Sequence, residues 1–233
     1  MLSMLTAGLI AWLLIRFTRL NRELQTGIVL TAMQPNCGNF GLPIILFAFG
    51  QEALVHASVF FTANLIFMYT VGVFVASMGS AGLRTALLNL IKMPAVYGVL
   101  VSIVMAQMGW RLPLPLERSI SLLGQATIPS MLLLLGIQLQ GAQWNLKFKA
   151  LSFATVMRLI SGPIVGLVIC LLLGVKGPAF QAGVAQSAMP PAVFNIILAS
   201  EYKLEPTFVS SAVFIMTLLS PLTLTPILYW LGG

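Results

Sequence analysis

Residues 31–52 read TAMQPNCGNFGLPIILFAFGQE, and residues 181–202 read QAGVAQSAMPPAVFNIILASEY. Each is an apolar stretch interrupted near its middle. In the first, Pro35 and Pro43 bracket Asn36, Gly38, Asn39 and Gly41; in the second, Pro190 and Pro191 precede Asn195. A proline inside a helix removes a backbone donor and clashes with the preceding turn, so both stretches are predicted to break near their centres. Broken backbone at membrane depth persists only where protein or a water-filled cavity satisfies the freed groups. The two breaks lie roughly 154 residues apart, and the acidic turns after them (Gln51-Glu52 and Glu201-Tyr202) roughly 150 apart. An odd number of crossings between them makes the two units run in opposite directions. The prediction is an inverted-repeat transporter whose binding site sits where two crossing broken helices meet near the bilayer midplane.

The rest of the chain fits a membrane setting. Apolar residues make up 59% of the 233 residues and charged residues 7%, with a mean hydropathy of +1.01. A soluble domain needs roughly 25% charged residues to face water. Apolar runs with suitable breaks fall at 1–15, 26–49, 57–78, 86–108, 118–138, 150–173, 178–199 and 207–231, giving about eight spans in an all-α, multi-pass protein. No soluble domain fits between them. The first run has no positive charge before it and three arginines after it, the reverse of a secretory signal. Cys37 and Cys170 both fall in apolar segments and read as small buried residues without a disulfide framework.

The net charge of +7 does not point to nucleic acid, because the basic residues sit singly between apolar runs. Alternate loops holding Arg16, Arg19, Arg22, Arg84, Lys92, Lys147, Lys149 and Lys203 contain eight of the twelve. The positive-inside rule places those loops in the cytoplasm, which puts both termini outside the cell (inner or plasma) membrane. The second repeat has five spans and the first only three. Repeat length therefore predicts about 70 further residues ahead of Met1 and an N-terminally truncated chain.

The chemistry open to the site is narrow. All five acids are glutamates, Glu23, Glu52, Glu117, Glu201 and Glu205, and each lies in a loop or at a span end. A carrier coupled through a buried carboxylate needs an intramembrane acid, and none is available. A sodium site of carbonyl and amide oxygens stays open, as does coupling to H+. No cofactor, metal-ligand set, nucleotide motif or nucleophile-base pair occurs, so no enzyme is expected. His56 reads as a capping or solvated residue. Arg158 is the one charge well inside a span, about nine residues beyond Lys149 and so roughly 14 Å deep. It has two readings. It supplies a positive field for an anion, or it braces carbonyls freed at a break, which its five donors suit. Where a helix restarts after Pro35 or Pro190, exposed N–H groups and the positive dipole end suit a carboxylate. Asn36 and Asn39 add amide donors from one side, Ser187 and Asn195 from the other, and Gln125, near Pro129, could face the same place. Gly38 and Gly41 permit close backbone approach. Gly98, Gly124, Gly136 and Gly166 read as helix-packing positions.

These residues resemble the auxin efflux carrier family, which includes the plant auxin exporters and bacterial carriers linked to malate or malonate. The QPN-x-GN-x-GLP stretch of residues 34–43 resembles the family's first crossover helix. Gln186-Ser187-Ala188-Met189-Pro190-Pro191 with Ala199-Ser200-Glu201-Tyr202 resembles its second. Arg158 with Gly162-Pro163, and Ala126-Thr127-Ile128-Pro129 with Leu135-Gly136, match further family positions. The resemblance implies ten spans in two five-helix repeats, a bile-acid-symporter- or antiporter-like fold. It also implies a scaffold, which dimerises, and a moving transport domain. By that mapping residues 1–78 are the remainder of the first repeat, with its broken helix at 26–49. Residues 79–233 are the second repeat, with scaffold-type helices over 86–138, transport-type helices over 150–231 and the second broken helix at 178–199.

The expected function is a secondary active or potential-driven carrier, of the efflux type, for small mono- or dicarboxylates. Its partners would be the carboxylate and the lipid bilayer. The rivals are an anion channel, which would show a continuous polar stripe on several helices, and a non-transporting receptor or partner subunit.

Overall fold

The computed structural model describes residues 1–77, 97–98, 101, 104–105, 107–110, 112–140 and 147–232. The expected span at 86–108 lies largely outside the described residues, as do Arg84, Lys92 and Arg111. Among the described residues every regular element is helical, and the one isolated bridge pairs Pro35 with Pro191.

Helix α1 (Leu2–Ile15) is followed by α2 (Arg22–Met33). Asn21 caps α2, its side chain accepting from the Leu24 amide at 3.3 Å. The helix stops ahead of Pro35, with Gln34 already extended at φ −107°, ψ 99°. After the break come a π-helical turn (Cys37–Gly41), α3 (Leu42–Phe67), a second π turn (Met68–Gly72) and the short α4 (Val73–Ala76). Gly50, at φ 77° and ψ −167°, splits α3, so its first residues form the other half of the broken segment. Then follow α5 (Leu114–Gln140), α6 (Phe148–Val156), a third π turn (Met157–Ser161), α7 (Gly162–Leu172), α8 (Gly177–Ala188), α9 (Phe194–Glu201) and α10 (Pro206–Gly232).

Among the described residues four helical stretches are long and apolar enough to cross a membrane: Cys37–Ala76, Leu114–Ile137, Phe148–Leu172 and Pro206–Gly232; Leu2–Ile15 is apolar but shorter. The apolar runs at 26–49 and 178–199 form no single long helix, because each is cut at its prolines into α2 and the start of α3, or α8 and α9. Pro43, expected to help break the first run, does not. It sits at the first turn of α3, where a missing donor is harmless, and the π turn just before it has already widened the helix.

Helix α8 lies against α3 and α7, and α1 against α2. Gly166 explains how closely α7 and α8 approach, since a Cβ there would fall well inside 3.0 Å of the Ser187 Cβ. Among the described residues Gly98, Gly124 and Gly136 have no such neighbour: a Cβ at any of them would meet nothing within 4 Å. Helix α5 is exposed along most of its length, including Leu122, Leu123 and Leu133. An apolar helix surface of this kind is what a lipid environment accepts and water does not.

At one end of the molecule three connecting segments meet. Lys147 Nζ sits 2.8 Å from Glu205 Oε1, and Asn21 Nδ2 donates to the same oxygen at 3.3 Å. The hydrogen bond from Lys147 holds the Glu205 carboxyl below its ordinary value; burial opposes this, and Asn21 assists. A depressed folded-state value stabilises the fold above the ordinary carboxylate range, and that contribution is lost as pH falls through the folded value. Glu205→Gln is therefore expected to lower the melting temperature slightly at neutral pH, by under about 1 kcal/mol for so exposed a pair. The difference from the parent should persist in mildly acidic buffer and vanish only below the ordinary carboxylate range, where the carboxyl is protonated in both states. A gap that stays constant down to roughly pH 3 would show that the ion pair is not its cause.

Candidate functional site

The two interrupted segments touch at their breaks. The Asn36 amide donates to the Pro190 carbonyl at 2.7 Å, and the Ala192 amide donates to the Gln34 carbonyl at 2.8 Å. This pair of bonds runs antiparallel about Pro35 and Pro191. Pro35 and Pro191 are 156 positions apart, and the same offset carries Asn39 onto Asn195. Neither break is left to lipid, because each supplies backbone groups that the other needs.

Two long polar side chains hold the crossing from behind. Arg158, carried on the third π turn and only 2% exposed, donates through Nη1 to the Ala32 carbonyl at 2.7 Å. Through Nη2 it donates to the Ser187 carbonyl. Ala32 is in the last turn of α2 and Ser187 in the last turn of α8, so one guanidinium ties the ends of both first halves. These carbonyls are the ones a helix leaves without intrahelical donors. Of the two readings of Arg158, the observed bonds are those of the brace. Gln186 works similarly, its Nε2 donating to the Cys37 carbonyl at 3.2 Å and to the Ala57 carbonyl at 3.3 Å. It reaches them across Gly41, where a Cβ would collide with Gln186 Oε1, while a Cβ on Gly38 would meet the Phe61 ring at 2.7 Å.

In front of the crossing lies a cavity of about 220 Å³. Asn36, Asn39 and Asn64 contribute its amides, and Phe61, Met68 and Phe194 are among its apolar walls; among the described residues no charged side chain lines it. Asn36 Nδ2 and Asn64 Oδ1 are buried with no partner among the described residues, while Asn64 Nδ2 donates to the Pro35 carbonyl at 3.4 Å. Unpaired buried amide atoms cost roughly 1–3 kcal/mol each, so a donor and an acceptor held open beside a cavity suit a polar ligand or water.

The structure divides the residues singled out from sequence. Asn36 and Asn39 share the cavity. Ser187 and Arg158 lie on the other side of Pro35, around a much smaller space that also touches Ser3 and Gly162. Ser187 Oγ donates to the Gly183 carbonyl at 2.9 Å. Asn195 is fully buried and does not line the cavity. Gln125 is not brought in: it is exposed on α5 and donates to Ser121 Oγ at 3.3 Å, while Ile128 and Met131 make that helix's contact with the core. Sequence reasoning missed Asn64 and assigned no role to Gln34 or Gln186. A lone asparagine inside an apolar span is costly enough in a membrane to have flagged Asn64.

The chain also matches known proteins. The family model described as membrane transport protein covers residues 1–228. The chain belongs to that family. An uncharacterized transporter of Methanocaldococcus jannaschii is 26% identical over 234 residues, spanning 96% of this chain and 74% of the relative. Auxin efflux carrier component 4 of Arabidopsis thaliana is 29% identical over 151 residues, or 62% of this chain and 24% of the plant protein. The probable auxin efflux carrier component 1b of Oryza sativa is 29% identical over 170 residues, 68% of this chain and 30% of its own length. The resemblance to auxin efflux carriers read from the crossover motifs is thus borne out. Family and relatives describe a membrane transporter rather than an enzyme.

Proposed function

We propose that this chain is a carrier of small organic anions, mono- or dicarboxylates, working by alternating access. The observation that carries the proposal is the uncharged cavity at the meeting of two broken segments, with the Asn36 amide open to it. In this reading the antiparallel bond pair about Pro35 and Pro191 is the centre of an inverted repeat. Residues 1–78 and 79–233 belong to its two halves, and α5 belongs to a scaffold against which the crossing shifts. A carboxylate would take hydrogen bonds from Asn36 and Asn39. Arg158, spent on backbone carbonyls and separated from the cavity by Pro35, would contribute only a background positive potential. With no acid inside a span, the driving force would be the membrane potential acting on the anion, or protonation of the substrate itself. Coupling through a sodium ion held by amide and carbonyl oxygens is the third course. The basic loops joined at Glu205 would face the cytoplasm of the cell membrane, with both termini outside.

Reconstituted into liposomes, the protein is expected to show saturable uptake of a labelled carboxylate, and Asn36→Ala is expected to weaken apparent affinity about tenfold or more. That is the scale of one lost hydrogen bond to a charged group. If no carboxylate binds or moves, or if Asn36→Ala behaves as the parent, the proposal fails.

A further inference from the structure

A second and larger cavity, of about 470 Å³, lies between α1, α2 and α4, away from the crossing. Its character changes along its length. One end is formed by Arg22, Gln25 and Thr26 in the first turns of α2, next to the loop that contains Arg16 and Arg19. From there its walls are Leu5, Leu9, Val29, Val71 and Phe74, and its inner end is Met33. Gly8 lets α1 come close to that inner end, since a Cβ there would sit 2.9 Å from Met33 Sδ. Trp12 stands near the polar end with the Arg16 guanidinium 5.0 Å from its ring centroid. A tryptophan at this depth marks the boundary between hydrocarbon and headgroups.

We infer that this groove binds one acyl chain of an anionic phospholipid, with the headgroup phosphate beside Arg22. Depth is the first argument. From Arg22 to Met33 is eleven residues of helix, about 16 Å at 1.5 Å per residue, close to half of the roughly 30 Å hydrocarbon core and so to one leaflet. Charge is the second. Arg16, Arg19 and Arg22 are exposed, and among the described residues none of them forms an ion pair; with Glu23 the acid of the same helix turn, this end of the chain keeps a net positive charge. By the positive-inside rule that end faces the cytoplasmic leaflet, where anionic lipids attract such clusters.

Native mass spectrometry of the detergent-solubilised protein, titrated with phosphatidylglycerol and with phosphatidylcholine of the same acyl length, tests the inference. Phosphatidylglycerol is expected to be retained preferentially and to raise the melting temperature more. Arg22→Gln should cut that preference about fivefold, the scale of one arginine beside an anionic surface, and the preference should shrink as salt is raised. Leu9→Trp, which fills the groove, should abolish retention of both lipids while leaving carboxylate binding intact. Equal retention of the two lipids overturns the inference, as does an unchanged preference in Arg22→Gln. Stabilisation by glycerol phosphate equal to that by the lipid would assign the arginines to a free anion instead. A dimer peak lost in Leu9→Trp would assign the groove to a second copy of the chain. Both results overturn the lipid, and neither touches the carboxylate reading of the crossing.

Discussion

Arg158→Met is expected to destabilise the protein more than any other single removal of a polar group. The substitution leaves the Ala32 and Ser187 carbonyls buried without the donor that now reaches each of them. Each orphaned group costs roughly 1–3 kcal/mol. An opposing term exists, because methionine also removes a buried charge that has no ion-pair partner among the described residues, worth a few kcal/mol. The carbonyls decide the balance, since they belong to buried residues at the ends of α2 and α8, where a helix leaves them without intrahelical donors. Arg158→Lys separates the two contributions. It keeps the charge but can satisfy only one of the two carbonyls well, so its melting temperature should fall between parent and methionine variant. A lysine variant as stable as the parent, beside a methionine variant that is merely inactive, would return Arg158 to the role of an anion-attracting field.

The second large effect belongs to Gly166→Ala. The added Cβ would land on the Ser187 Cβ, and two facing carbons fixed to helical backbone cannot rotate apart. Helices α7 and α8 must then separate, which places the cost at or above the upper end of the roughly 1–3 kcal/mol of ordinary overpacking. Ser187→Ala keeps the obstructing carbon and should rescue nothing. Ser187→Gly removes it, so the double variant should regain much of the lost melting temperature. Gly124→Ala is the comparison: with nothing in reach it should be neutral or raise helix stability by up to about 1 kcal/mol. If Gly166→Ala and Gly124→Ala prove equally harmless, the close approach of α7 and α8 is wrong.

These two residues show what the sequence could and could not convey. That residues 26–49 and 178–199 would break followed from Pro35 and Pro190-Pro191, because a proline acts through its own ring and missing donor. Membrane character followed from composition for an equally local reason. Pro43 shows the limit, since the same residue type at the first turn of a helix breaks nothing. Which side of the crossing each polar group faces depends on the rotation of a helix about its axis, fixed by packing partners distant in sequence. Hence Asn36 and Asn39 face the cavity, whereas Asn195, their counterpart in pattern, is buried away from it. Gln125 fell outside for the same reason: Ile128 and Met131 turn inward and leave it exposed. Gly166 and Gly124 are indistinguishable as letters; only the neighbour opposite tells them apart.

The bond pair between Gln34–Asn36 and Pro190–Ala192 bears on why both central residues are prolines. In antiparallel pairing, alternate residues point their backbone groups toward the partner and away from it. Here Asn36 and Ala192 donate across the join, so residues 35 and 191 face outward. The Pro35 carbonyl does look outward, taking donors from Asn64 and from the Cys37 amide. An amide hydrogen at either position would point away from the join, with no strand beyond to receive it. Proline removes that hydrogen altogether. The crossing is thus an antiparallel join one pair wide whose outer edges have been chemically blunted, and any other residue at 35 or 191 would restore a donor that the join itself cannot satisfy.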